Sequence, residues 1–440
     1  MTLFTNSLAP TLRRSVLAAA VVMSISAQAA TLADLVTQAK SFDATFAAAE
    51  KELSISQAQA ETAKAPLRPS VGLATTVSKS RFDSVTQATS KSLGLEATQS
   101  LFDRSSSTLA QQAQFKIELA RVQYAQAEQD LIVRVAQAYF DLLGAQAQLN
   151  TVVAAKKAVQ VQLERAQRNF EVGVATITDT REAQAQFDRI VANEIAAQNE
   201  VKVKQLALDQ LVGKSDIKVD DLKPDAALPA LTPNDVTVWI GQALTNSPAV
   251  KMAQIGRQSA DLGVTKAEAG HLPTVSATYA YSKPFDVTCN QNLPSASSCT
   301  VNKLSLTMKM PLFAGYAIQN QVKEAVATAA QAQDELNAMK RNVAQGVRTA
   351  YFGVLSGHAQ VKALRAAVTS SESALEANQT GYTVGVRINA DVLSAQSQLY
   401  QTQSELAKAR YNVLLGQLKL RQAAGTLSQA DVDALKGLYR

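Results

Sequence analysis

The sequence predicts a mainly α-helical protein with a small β part, in which long helical hairpins carry a few strands at one end. Three observations predict it. The chain repeats itself once, each half contains proline-free helical stretches of great length, and short segments alternate between apolar and polar residues with period two.

The N-terminus points to export. Arg13 and Arg14 precede the apolar run Val16-Leu17-Ala18-Ala19-Ala20-Val21-Val22-Met23, and the small-residue site Ala27-Gln28-Ala29 follows. That order reads as a signal peptide over residues 1–29, too short to span a bilayer, with cleavage expected after Ala29. No later run of ~18 apolar residues predicts a transmembrane helix.

Composition excludes several classes. Among 440 residues there is one Trp, and aromatics make up 5%, with many Ala and Gln. So little bulk suits extended helical packing better than a compact core, and both residue types favour helix. The net charge of +6 comes from interspersed acids and bases, without a basic stripe, which excludes nucleic acid as a partner. Cys289 and Cys299 share one polar, proline-containing segment, so in an oxidising compartment they are expected to form a disulfide.

The duplication is carried by five matches in one order. Phe170-Glu171-Val172-Gly173-Val174, ending at Asp179, matches Tyr382-Thr383-Val384-Gly385-Val386, ending at Asp391. Ala183, Gln184 and Gln186 recur as Ala395, Gln396 and Gln398, and Ala138-Tyr139-Phe140 as Ala350-Tyr351-Phe352. Leu101-Phe102 recurs as Leu312-Phe313, and Pro69-Ser70-Val71 as Pro273-Thr274-Val275. The first unit is placed at residues 30–213 and the second at 234–424. A proline-bearing linker (214–233) joins them, and a short tail (425–440) follows.

Each unit reads as a helix, two strands and a pair of very long helices. The first helix is predicted over 32–64, stopping before Pro66. Val71, Leu73 and Val77 then alternate with polar or small residues, as do Leu93, Leu95, Ala97 and Leu101. In the second unit Val275, Ala277, Tyr279 and Tyr281 alternate, as do Leu304, Leu306, Met308 and Met310. From Ser105 to Asn169 only Gly144 interrupts a helical pattern, in which Ile132, Val135, Tyr139, Leu142, Gln146, Leu149 and Val153 follow coiled-coil spacing. Val347, Tyr351, Val354 and Val361 keep that spacing in the second unit. The returning helices are predicted from about Thr180 to Leu211 and from Asn389 to Ala424.

Gly173 and Gly385 thus sit at the far tips of two hairpins, where glycine suits a positive φ. Asp179 and Asp391 follow, where a carboxylate favours a helix N-terminus. Val172, Val174, Val384 and Val386 are apolar at an exposed turn with no folding need to be so, which marks the tips as a contact surface.

Four apolar-faced strands cannot close a barrel, and lipid excludes an open sheet edge. Several chains must combine: two would supply eight strands and three would supply twelve. The long helices are too polar for lipid and must project into water. Periodicity and duplication therefore predict a composite barrel standing on a helical one.

These residues resemble the TolC family of outer-membrane efflux and secretion ducts over nearly the whole mature chain. The resemblance is carried by FEVGVATITD and its repeat YTVGVRINAD, by TREAQAQFD after the first, by the AYF segments, by GHLPT before the third strand, and by ELAKARYNVLLGQL. It implies a homotrimer with a 12-stranded β-barrel in outer-membrane lipid and a long periplasmic tunnel. It also implies an adaptor (membrane fusion) protein and an inner-membrane pump of ABC or RND type as partners. In the family the periplasmic entrance is held closed near the tips. The matching positions are Tyr382, Arg387 and Asp391 in the second unit, with Thr178 and Asp179 in the first. Ser394 stands where the best-known members carry a second acidic residue.

No chemistry is predicted. His271 and His358 lie apart from any metal-ligating cluster, no phosphate loop or nucleophile elbow occurs, and neither a cofactor nor a catalytic residue is expected. Two rival readings are a periplasmic helical scaffold, which would need no apolar-faced strands, and a diffusion porin, which would be rich in strands.

Overall fold

The computed structural model describes residues 30–82, 85–223, 226–285 and 300–438. The expected signal peptide, Cys289 and Cys299 lie outside the described residues. The chain runs twice through one order of elements: α1 (Leu32–Phe42), α2 (Ala44–Ala63), β1 (Ser70–Phe82), β2 (Val85–Phe102), α3 (Arg104–Glu171) and α4 (Ile177–Val212), then α5 (Val236–Asn246), α6 (Pro248–Glu268), β3 (Thr274–Phe285), β4 (Val301–Lys309), α7 (Ala317–Thr383) and α8 (Asn389–Ala423). A short α9 (Gln429–Asp433) closes the chain.

The single helix expected over 32–64 is in fact two. Asp43 is extended (ψ 116°) and its carboxylate accepts from the Phe46 amide at 2.7 Å, capping α2. The same carboxylate holds a two-pronged pair with Arg134 of α3, both contacts at 2.9 Å. That bond draws its pKa below the usual carboxylate value, and burial opposes the shift only in part. In the second unit Ser247-Pro248 makes the equivalent break, with Pro248 at the first position of α6.

α3 and α7 have 68 and 67 residues, so each is about 100 Å long at ~1.5 Å per residue. α3 opens with Asp103 accepting from the Ser106 amide at 3.0 Å. In the half nearer the sheet α2 and α6 flank the long helices, and in the far half α4 and α8 do. Each level of the wall therefore presents four helices per chain. No helix among the described residues is long and apolar enough to cross a membrane.

The predicted seam of α3 holds over Ile132, Val135, Tyr139 and Leu142, all buried, but Val153 is 44% exposed. Below it the buried stripe passes to Ala155, Val159, Leu163 and Ala166. An α-helix turns every 3.6 residues rather than 3.5, so a strict heptad drifts off the contact line of a straight helix. The main core lies near the middle of the wall, where α1 and the 214–233 linker wrap the hairpins. Leu35, Leu131, Tyr139, Leu208, Leu414 and Leu418 fill it. Tyr139 and Tyr351, expected as seam packing, also make hydrogen bonds: Tyr139 donates to the Asp220 carbonyl of the linker at 2.8 Å, and Tyr351 to Asn234 just after it at 3.1 Å.

The four strands form one antiparallel sheet in the order β1-β2-β3-β4. Its register aligns Val71, Ala97, Tyr279 and Leu304 across all four strands, with Leu73, Leu95 and Tyr281 in the next row. Directly opposed residues share a face, so every predicted apolar alternation falls on the same side. That side is open: Leu73 is 71% and Leu304 80% exposed. Gly72, Thr76, Glu96, Thr98, Thr278, Lys303 and Ser305 form the opposite, polar face.

Candidate functional site

The functional surfaces lie at the two ends of the molecule. At the sheet end, nothing among the described residues covers the apolar face, and β1 and β4 are edge strands. An uncovered apolar face with a polar reverse is the inverse of a soluble sheet. It fits lipid outside and water inside. Leu101, Phe102, Leu312, Phe313 and Tyr316 stay exposed where the sheet meets the long helices, and Phe313 and Tyr316 meet edge to face at 5.5 Å.

At the far end, the two hairpins turn at Gly173 (φ 77°) and Gly385 (φ 82°). Only a residue without Cβ enters that region cheaply. Each turn is followed by a carboxylate at the third position of the returning helix. Asp179 accepts from the Thr176 amide at 3.0 Å and hydroxyl at 2.8 Å, closing a capping box. Asp391 accepts from the Ile388 amide at 3.4 Å. Val172, Val174, Val384 and Val386 are each at least 68% exposed, and Ile177 and Ile388 extend the patch.

The proposed entrance residues stand together at this end, but within one chain they are not all joined. Arg387, in the turn just before α8, pairs with Asp391 at 3.7 Å, and an exposed pair of this kind contributes about 0–1 kcal/mol. Tyr382 accepts from Asn169 at 3.4 Å, bridging the two hairpins. Thr178 is exposed, and no ion pair joins Arg387 to Asp179 among the described residues. Ser394 is exposed one turn into α8.

Another tie between the hairpins involves residues that sequence reasoning missed. Asn389, fully buried at the start of α8, accepts from the Gln162 amide at 2.5 Å and donates to the Asp179 carbonyl at 3.3 Å. Gly381, at the end of α7, is also buried, and a Cβ there would come within 2.7 Å of the Arg387 stem. The available signal was a break in the duplication. Asn389 occupies the repeat position of Ile177, and Gly381 that of Asn169.

A lipid-compatible sheet at one end and a hairpin tip about 100 Å away define a duct protein rooted in an outer membrane. Comparison with known proteins gives the particular family. The chain belongs to the outer membrane efflux protein family, whose profile matches residues 35–214 and 239–426. It is 34% identical over 413 residues to the outer membrane protein TolC of Vibrio cholerae, covering 92% of this chain and 93% of that one. It is 29% identical to the alkaline protease secretion protein AprF of Pseudomonas aeruginosa, covering 77% and 70%. Among solved structures, the outer membrane protein VceC of Vibrio cholerae superposes with a TM-score of 0.77 at 21% identity, covering 90% of this chain and 96% of that one. CusC gives a TM-score of 0.80 at 20% identity, covering 90% and 92%. The protein is an outer-membrane exit duct of the efflux and secretion kind, with a helical extension into the periplasm.

Proposed function

We propose that three copies of this chain assemble into one passive channel, with a 12-stranded barrel in the outer membrane and a twelve-helix wall below it. The observation that carries this is the open sheet: β1 and β4 both end it, and lipid tolerates no unpaired strand edge. With four helices per chain at each level and ~10 Å per helix, three chains give a wall about 120 Å around and a lumen roughly 28 Å across. Two chains would leave about 15 Å, a poor fit for a duct related to proteins named for protease secretion.

In this reading the tips dock a periplasmic adaptor through Val172, Gly173, Val174, Val384, Gly385 and Val386. An inner-membrane pump of the ABC or RND type supplies the energy. Tyr382, Arg387 and Asp391 meet Thr178 and Asp179 of a neighbouring hairpin to hold the entrance closed. Three copies of Asp391 around one axis focus a negative potential that attracts cations. The cargo is small toxic compounds, secreted polypeptides or both, and drug-susceptibility and secretome profiles of a deletion strain separate these. The assembly is tested by the mass of the detergent-solubilised complex: three chains are expected, and a stable monomer or dimer overturns the proposal.

A further inference from the structure

Ala30 is the first residue after the expected cleavage site, and its backbone is already tied down. Its nitrogen donates to the Lys218 carbonyl at 2.8 Å, and the residue pairs with Val219 as a parallel bridge. Chain ends usually fray unless something holds them. Here the hold comes from the linker between the two units, beside the main core, where Leu32, Leu35 and Ile217 pack. The linker is itself fastened on either side of this point. Tyr139 donates to the Asp220 carbonyl at 2.8 Å, and Tyr411 to the Asp221 carboxylate at 3.0 Å.

The surroundings of the Ala30 nitrogen are acidic. One residue on, about 3.8 Å along the backbone, Thr31 gives its amide (3.3 Å) and hydroxyl (2.6 Å) to the Asp34 carboxylate. Asp220 directly follows the bridged Val219. Burial pushes the Asp220 carboxyl up, and the charge of Asp34 pushes it further. Two carboxylates therefore lie within range of each other at one chain end, and among the described residues no lysine or arginine pairs with either. The other ionisable neighbours are Lys218, which is exposed, and Asp221, which holds the Tyr411 hydroxyl. Like charges so placed are unfavourable unless a cation joins them. In the uncleaved chain the Ala30 nitrogen is a neutral amide and supplies none. Hydrolysis of the Ala29–Ala30 bond puts the hydroxyl of water on the Ala29 carbonyl carbon and frees the nitrogen as an amine, mostly protonated at neutral pH. Of its three hydrogens the Lys218 carbonyl takes one, which leaves two for the carboxylates.

We propose that removal of the signal peptide completes an ion-pair clasp, in which the α-ammonium group of Ala30 binds the Lys218 carbonyl and the carboxylates of Asp34 and Asp220. The clasp rests on cleavage after Ala29, the site that the signal sequence predicts. Processing then fastens α1 to the linker, so the core between the two units reaches full strength only in the exported chain. A carboxylate a few ångströms from an amine strengthens its hold on the proton by roughly tenfold.

The test treats the full detergent-solubilised complex with a limiting amount of an acetylating N-hydroxysuccinimide ester at neutral pH, where only the unprotonated amine reacts. Mass analysis of the N-terminal peptide reports the first residue and its rate of acetylation together. The parent should begin at Ala30 and react roughly tenfold more slowly than Asp34→Asn/Asp220→Asn. Asparagine keeps the shape and the burial, so an amine shielded by packing alone would react alike in both, and equal rates overturn the proposal. Because Asp34 also caps α1, Asp220→Asn alone is the second variant, expected to react several-fold faster than the parent. Lengthening the chain by Gly-Ser between Ala29 and Ala30 moves the ammonium group away. It should lower the melting midpoint of the parent and leave that of the asparagine double variant unchanged, whereas equal losses in both overturn the proposal. A mature chain that begins elsewhere also overturns it, and the peptide mass marks that outcome as a failure of the cleavage reading.

Discussion

Replacing Asn389 by leucine is the most informative perturbation of the entrance. Its carboxamide is fully buried and takes the Gln162 amide as donor while giving its own N–H to the Asp179 carbonyl. Leucine has nearly the same size, so little cavity forms. The cost falls on Gln162, itself 5% exposed, whose amide loses its acceptor away from water. A buried polar group left without a partner costs about 1–3 kcal/mol. At the proposed entrance that is a roughly 5- to 150-fold shift towards opening in each chain, and three chains opening together would multiply it. Single-channel recordings in planar bilayers should show a larger conductance or longer open dwell times for Asn389→Leu. Gln162→Leu/Asn389→Leu removes this donor and acceptor together and leaves neither side chain unsatisfied, so it should recover much of the closed behaviour. Two outcomes refute the reasoning: a single variant indistinguishable from the parent, or a double variant more open than the single.

Three further outcomes test other parts of the molecule. Asp43→Ala removes a helix cap and a paired carboxylate and should lower stability at neutral pH by about 2–3 kcal/mol in thermal or denaturant melts. Because the folded pKa lies below that of an ordinary aspartate, this stabilisation is present above the ordinary value, and the gap to the parent should close as pH falls through the lowered one. Lys at Val172 or Val384 should abolish adaptor-dependent export in cells while the complex keeps its mass, and normal export in both variants would leave the tips as plain turns. Arg387→Ser with Tyr382→Phe should raise single-channel conductance, and Asp391→Ala should weaken block by divalent cations. Unchanged values in all of these would move the entrance elsewhere.

Much of the architecture was legible before any coordinates. Period-two alternation located the strands because each pleat throws successive side chains to opposite faces, and the lipid-facing residues had to match that period. Proline-free stretches located the long helices, and Gly173 and Gly385 their turns. Asp179 and Asp391 were readable as helix starts because capping is local chemistry within one turn of backbone. The break at Asp43 was not readable, since helical periodicity runs on through it. The pairing with Arg134, far along the chain, adds to the local cap of α2 in holding the extended residue.

The sequence by itself determined the duplication, the element types and the two apolar-faced hairpins, all of which depend on neighbours within a few residues. The tertiary structure alone decided which faces coincide, and therefore that all four strands present one continuous apolar surface. It alone joined Gln162 of α3 to Asn389 of α8. A buried amide shows no periodicity in a sequence, and its role comes from a partner brought beside it by the packing of two helical hairpins.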